Sequence, residues 1–444
     1  MFQHRSIHSN NAPGEQKTFA SEKNAGFSPF KKIKGGALYI AILTSIIIGI
    51  ILTFFILIAR YNQRQVTVFA QSSQLIYNLK SAFQIAQSAY FVPGQNFTWM
   101  KNQENDDSIR IKKMHWGAYL IVGAETKNRH QYLSQAGLYG TSMSADTGLM
   151  VSDNSRPVGL SGNIIFKANC YLPRAGIKPV YIEGQSYISS ADNSSYIKQS
   201  PASVPKIHPD ILKGLKQEMD AVNVALDSVV GTLPNNYTQA FTLKTIVWEI
   251  SSTHLSHLHL RNNIKLVCEN IEIDSTAHFE NILIVCKKAR FKKGFKGQVH
   301  IIASDSISME EQCEFNYPSS FVLFAREDNV SGFSHIQFNK DCTFFGGILA
   351  IAENAGHAAS QKVFIQLHRG CEINGFIYSD NYIHMEGMIN ATVIADKLML
   401  KTSSAVYENH MLGCEVNPKK YAGLLAVPLL FKKTGKLLCC EMLN

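Results

Sequence analysis

GGALYIAILTSIIIGIILTFFILIA, residues 35–59, runs for 25 positions without a charge and sets the plan of the whole chain. Wound as a helix, such a block rises about 37 Å, and about 20 apolar residues suffice to cross a hydrocarbon layer of ~30 Å. Lipid offers no hydrogen-bond partners, so a spanning backbone must satisfy itself within the helix. The block is longer than the ~7–15-residue apolar core of a cleaved secretory signal. It also runs directly into Arg60 instead of a small-residue cleavage site. The sequence therefore predicts a retained transmembrane helix over 35–59, with the remaining mass suspended from it.

The flanks predict its direction. Lys31, Lys32 and Lys34 abut the span, with Arg5, Lys17 and Lys23 further out, against Arg60 and Arg64 on the other side. Lys and Arg resist translocation and mark the cytoplasmic side. The expected topology is single-pass, with the N-terminus cytoplasmic and the bulk periplasmic or extracellular. Residues 1–34, rich in Asn, Ser and Gln, hold too little apolar surface for a core and read as a disordered basic tail. The chain of 444 residues is 45% apolar and 17% charged, enough to build one or two domains beyond the anchor. Its net charge of +9 is dispersed, and +4 of it belongs to the tail. The densest basic run (Lys287, Lys288, Arg290, Lys292, Lys293, Lys296) reads as a solvated sheet edge, so no nucleic-acid partner is expected.

After Arg60 neither proline nor glycine occurs until Pro93, so the helix can leave the bilayer unbroken as an amphipathic extension over 60–92. Phe69, Ile76, Leu79, Phe83, Ala86 and Tyr90 form a seven-residue pattern along one side. Two roles are open for this stripe: a face packed on the chain's own next domain, or an assembly face for neighbouring subunits.

A short basic stretch ending in Gly, an apolar helix, an amphipathic extension and a β-rich head together resemble the N-terminus of type IV pilins and pseudopilins. KKIKGGALYIAIL looks like a prepilin cleavage region, with Gly35 or Gly36 before the cut, and NLKSAFQIAQSAY (78–90) is similar to the stretch after the span in PilX-like minor pilins. Ile40 or Ala41 stands where major pilins carry a glutamate, a departure shared with certain tip-type minor pseudopilins. The resemblance covers about 60 residues. It implies processing at Gly35 or Gly36 and packing of the helix into a filament or secretion assembly with other envelope or pilus-like subunits.

Beyond the helix the chain reads as mainly β. Short apolar runs broken by Gly, Pro and Asn give a first β-rich region over 93–195. A proline-rich linker follows over 196–241, with one helix marked by Ile211, Leu212, Leu215, Met219, Val222 and Leu226. Residues 242–410 repeat loosely: HIIASDSISME (300–310), FIYSDNYIHME (376–386) and TVIADKLMLKT (392–402) each give strand, Asp-bearing turn and strand. Cys313, Cys342 and Cys371 recur every 29 residues, and Cys-x-x-x-Gly occurs at 342–346 and 371–375. Co-directional repeats with few Asn-Gly or Asp-Gly turns favour a β-solenoid (β-helix-like) domain over an antiparallel sandwich. Residues 411–444 are expected to be a C-terminal cap or tail.

Chemistry-bearing patterns are sparse. The nine cysteines contain no CxxC pair and, being odd in number, no complete disulfide framework; the evenly spaced three read as small core residues at equivalent positions. Asp305, Asp380 and Asp396 sit at turns, where Asp is favoured for bonding its local backbone. His257 and His259 are alternate residues, so one strand face can carry both, but no further ligand is identifiable. The expectation is a non-enzymatic membrane-anchored envelope protein with no catalytic residues, metal or cofactor. The alternative is a membrane-tethered β-helix protein that binds or cleaves polysaccharide, with corner aspartates as acid and base and Tyr378 and Tyr382 stacking on sugar rings.

Overall fold

Gly36–Ala86 form one α-helix of 51 residues in the computed structural model. The structure describes residues 36–87, 96–102, 107–129, 131–143, 146–189, 193–220, 228–229, 233–251, 253–326, 333–353, 362–431 and 437–443. The expected tail over 1–34, Gly35 and Tyr90 lie outside them. The chain divides into two units, Met1–Phe69 and Ala70–Asn444.

In the first unit the described residues all belong to the helix. It is long and apolar enough to cross a membrane. Its few hydroxyls turn back on the helix: Thr44, Thr53 and Thr67 donate to the carbonyls of Ile40, Gly49 and Gln63. No hydroxyl proton among these three is left facing an apolar surrounding.

The second unit begins with the last turns of the helix. Leu75 is buried there, and Leu79, Ala82, Phe83 and Ala86 pack against Ile109, Ile111, Leu120, Val122 and Tyr139. Those partners come from an antiparallel meander of Asn96–Asn102, Asp107–Trp116, Tyr119–Lys127 and Tyr132–Ser142. The stripe expected along the helix is thus divided: Leu79, Phe83 and Ala86 lie in the unit's own core, whereas Phe69 and Ile76 are exposed. At about 100° per residue Ile76 lies well round the helix from Leu75 and off the face that 75, 79, 82 and 86 define, and before Gln71 every described residue is exposed whichever side it lies on.

The rest of the unit is mostly parallel sheet. On one face the strands Ile264–Val267, His278–Phe291, Lys296–Met309, Glu314–Ala325, Thr343–Ala352, Glu372–Met385 and Gly387–Lys401 pair in succession, all parallel. A second face uses the far ends of several of these strands together with Phe333–Phe338 and Lys362–Leu367. Register is strict along the inward columns. Ile271, Ala289, Ile307, Ile336, Ile365, Ile383 and Leu398 are successive partners, all buried. The three echoing segments share columns, as Ile377 pairs with Val393 and Ile383 with Leu398, and Ile307 lies in the same column as Ile383.

The 29-residue cysteine interval has a local cause. Gln312, Asp341 and Gly370 take left-handed backbone (φ 60°, 60° and 85°) and turn the chain, and Cys313, Cys342 and Cys371 are the next residues, each facing inward and buried. Their thiols donate to the carbonyls of Lys292, Glu310 and Asn339 at 3.3, 3.1 and 3.0 Å. The glycines of the Cys-x-x-x-Gly echo, Gly346 and Gly375, lie in one column at φ 143° and 126°, where a Cβ would collide with the backbone oxygen of Ser319 or Gly346.

The two β portions expected as successive regions are joined in one sheet. Val393 and Ala395 pair with Leu149 and Val151, Leu149 with Cys170, and Cys170 with Ile197. The first strands in sequence therefore extend the ladder beyond its last ones. The chain must then return to the opposite end, where Asn236–Gln239 and Ile246–Glu249 pair with the strands that follow them. Twelve described rungs at ~4.8 Å span roughly 50 Å, which accounts for the long proline-rich connection. Its helix, Pro209–Asp220, buries Leu215 and Met219, and Glu218 binds the buried strand lysine Lys265 at 2.9 Å. Val222 and Leu226, expected on this helix, lie outside the described residues.

The outer side of the first face is covered. Leu283, Val285, Ile302, Val322, Phe324, Leu349 and Tyr378 meet Trp116, Tyr119, Leu138, Met219 and Leu430 in a second core. The C-terminal segment, expected as a cap or tail, contributes elsewhere: Cys414–Val416 joins the parallel ladder and Leu438–Leu443 adds an antiparallel strand to the meander.

Candidate functional site

Asp380 and Asp396 are brought together by a register irregularity. Ser379 pairs with Ala395 and Tyr382 with Lys397, so one extra residue bulges on the first strand and sets Asp380 and Asn381 opposite Asp396. Burial raises the Asp380 carboxyl above its ordinary range, and the Asp396 charge adds to that; hydrogen bonds from Tyr378 and Ala352, and the Lys206 charge, oppose it. A carboxyl pair with one member shifted upward is the kind of arrangement that acid–base chemistry uses. Here both oxygens of Asp380 are already engaged: Oδ1 accepts from the Tyr378 hydroxyl at 2.7 Å and Oδ2 from the Ala352 amide at 3.0 Å. Asn381 likewise accepts from the Val363 amide at 2.9 Å. The bulge therefore acts as a clasp holding three neighbouring strands at a corner.

Asp305 is not part of this pair. It lies on the strand Lys296–Met309, three steps of the ladder away, and binds Lys288 at 3.1 Å. The expected sugar-stacking role of Tyr378 and Tyr382 is corrected by burial, since they are 1% and 8% exposed and present no ring face to solvent. The histidines are exposed but do not converge. His254 faces Glu272 at 3.4 Å, His257 sits in a left-handed corner, and His259 stacks on His278 at 4.6 Å. The left-handed turn at His257 breaks the alternation that would have put it beside His259. Among the described residues no three His, Cys, Asp or Glu side chains are grouped to hold a metal ion.

The basic run spans the end of His278–Phe291, the turn after it and the first residue of Lys296–Met309, two strands with neighbours on both sides and not at an edge. Lys287, Lys288, Arg290, Lys293 and Lys296 pair with Glu269, Asp305, Glu310, Glu311 and Glu314, and Lys292 bridges Glu272 and Glu310. Beside it, an open cleft of about 370 Å³ is lined by His254, Glu272, Lys288, Arg290, Ser306 and Ser308. Ser306 and Ser308 make the notch: they pair laterally with the longer Lys288 and Arg290 on one side and His335 and Gln337 on the other.

The chain matches no family model, no curated protein and no solved structure.

One polar cluster has no motif in the sequence. His300 Nδ1 and Ser320 Oγ lie 2.9 Å apart, both fully buried, and the Ala118 amide donates to the same Oγ at 3.2 Å. Gly117, at φ 60°, turns the meander over this pair, and Trp116 Nε1 donates to the Asn281 carbonyl at 2.9 Å. Burial depresses the His300 pKa to about 3, so the ring is neutral in the fold. A histidine beside a serine suggests nucleophilic chemistry, but this pair is sealed and pins the meander to the parallel strands. The only signal in the sequence is a lone His heading the apolar run of 300–303.

Proposed function

We propose that this chain is a non-enzymatic, single-pass envelope protein: a minor pilin- or pseudopilin-like subunit that packs into a surface filament or secretion assembly. The observation that carries this is the helix Gly36–Ala86, apolar and exposed in its first half and embedded in an antiparallel sheet by its last turns. Such a helix offers one stretch to lipid and subunit neighbours while its end belongs to the head. The N-terminus is taken as cytoplasmic, from the basic residues before the span, and the β-rich part as periplasmic or extracellular. Within it, the in-register parallel columns and recurrent left-handed corners support a β-solenoid.

The assembly face on this proposal shifts from the whole stripe to Phe69 and Ile76, with Tyr77 beside them, because these stay exposed. A photo-crosslinking residue placed at Phe69 or Ile76 in cells should yield adducts with neighbouring subunits, and one at Leu79 only internal links. Absence of intermolecular adducts at both exposed positions would reject assembly through this face.

The polysaccharide reading retains one observation, the open polar cleft beside Lys288 and Arg290. Glycan-array binding that is lost in Arg290→Glu would favour it over the assembly reading.

A further inference from the structure

The strand Ile264–Val267 runs parallel to the middle of His278–Phe291, with Leu266 opposite Ile284 and Val267 opposite Val285. The next residue on each strand is a cysteine, and the ladder continues through them, the Cys268 amide donating to the Val285 carbonyl at 3.1 Å. Cys268 and Cys286 are therefore lateral neighbours. Strands in a sheet lie about 4.8 Å apart, inside the ~4.4–6.8 Å Cα separation that a disulfide tolerates. Both thiols are free and both pack on the same interior.

Their surroundings are unequal. Cys286 is 5% exposed whereas Cys268 is half-buried. A hydrogen bond with Cys268 and its own burial push the Cys286 thiol well above its ordinary range. One cysteine is thus partly accessible and the other lies beside it, buried. The remaining interior cysteines lack this pairing of access and neighbour. Cys313, Cys342 and Cys371 stand on adjacent rungs but are all sealed.

We propose that Cys268 and Cys286 form an oxidisable dithiol, a modification site that closes a disulfide between two neighbouring strands. The co-reactant is a small-molecule disulfide such as oxidised glutathione. The Cys268 thiolate attacks one of its sulfurs, a mixed disulfide forms and one glutathione thiolate leaves. Cys286 then gives its proton to solvent, attacks Sγ of Cys268 and expels the second glutathione thiolate. Two protein thiols are oxidised, one disulfide is reduced to two thiols, and the two protons end on the released glutathione. The strands are already side by side, so closure requires little rearrangement. The proposal does not rest on the pilin-like reading.

The test uses the full chain in detergent, treated with oxidised glutathione under native conditions, acid-quenched, denatured, alkylated and mapped by mass spectrometry. The expected result is a cross-linked peptide joining 268 to 286, with Cys313, Cys342 and Cys371 still alkylated. Cys286→Ser should stop at the mixed disulfide on Cys268, and Cys268→Ser should leave Cys286 unreacted. Two results on the unaltered chain would overturn the proposal: glutathione persisting on Cys268 while Cys286 stays free, or no reaction at either under conditions that modify the exposed Cys439.

Discussion

Along residues 283–285, 300–303 and 320–325 every side chain is buried, whereas along 270–273, 288–291 and 306–309 only alternate ones are. Both stretches belong to the same parallel ladder and fill the same interior. What differs is the cover. The first face lies under the meander, the helix Pro209–Asp220 and the C-terminal segment, and so reads as unbroken apolar runs such as IIA (301–303) and FVLFA (321–325). The second faces water and carries Lys288, Arg290, Ser306 and Ser308 between its inward residues. A parallel sheet covered on both sides loses alternation, and one wetted on a side keeps it. The pattern of a strand thus reports what lies over it as much as the strand itself.

The same charge placed on each face should break this comparison if it is wrong. Ile302→Asp buries an unpaired carboxylate beneath the meander and should cost more than about 4 kcal/mol or prevent folding, whereas Ser308→Asp, on the wetted face, should stay within about 0.5 kcal/mol. Denaturant melts of the two variants give the contrast directly. Phe315→Ala, in an inner aromatic cluster where its ring meets Phe291 at 5.0 Å and Phe321 at 4.9 Å, should cost about 3–5 kcal/mol in the same assay.

The covered face also carries an acid-sensitive group. His300 is held neutral by burial, with its pKa near 3 against 6.5 when free, so below pH 6.5 the unfolded chain binds a proton that the folded chain refuses. Its contribution is complete above pH 6.5 and falls as pH drops towards 3, by up to ~1.4 kcal/mol per pH unit. Stability measured from pH 7 to 4 should therefore drop less steeply in His300→Gln than in the unaltered chain. An unchanged slope would place the acid sensitivity elsewhere. A second small effect belongs to the wetted face: Arg290→Ala removes an exposed ion pair with Glu310 and should shift stability by less than about 1 kcal/mol, less still at high salt.

Sequence carried the local rules well and the long-range ones poorly. Alternation at Ile271–Ile273, the unbroken run at 35–59 and the even spacing of Cys313, Cys342 and Cys371 each follow from a neighbour within a few residues or from one repeat. The joining of Val393 to Leu149 does not, because it links strands about 240 positions apart and reverses their order along the ladder. The stripe on the helix is partly legible: Leu79, Phe83 and Ala86 mark the buried face, but periodicity alone does not say where the covering sheet ends, and Phe69 lies in the stretch that is exposed on all sides. Asp380 shows the same limit at the site. Its turn position was visible, but the bulge that sets it against Asp396 depends on register with the next strand. His300 and Ser320, 20 residues apart and on neighbouring strands, gave no joint signal at all.

The pilin-like account stands on what happens before Gly36. Protein isolated from its native membrane should, on this account, begin at Gly36 or Ala37 and carry an N-methyl group, as intact-mass and N-terminal peptide spectrometry would record. A mature chain beginning at Met1 or Phe2 would contradict it, and would leave the helix as a plain anchor for the β-rich unit.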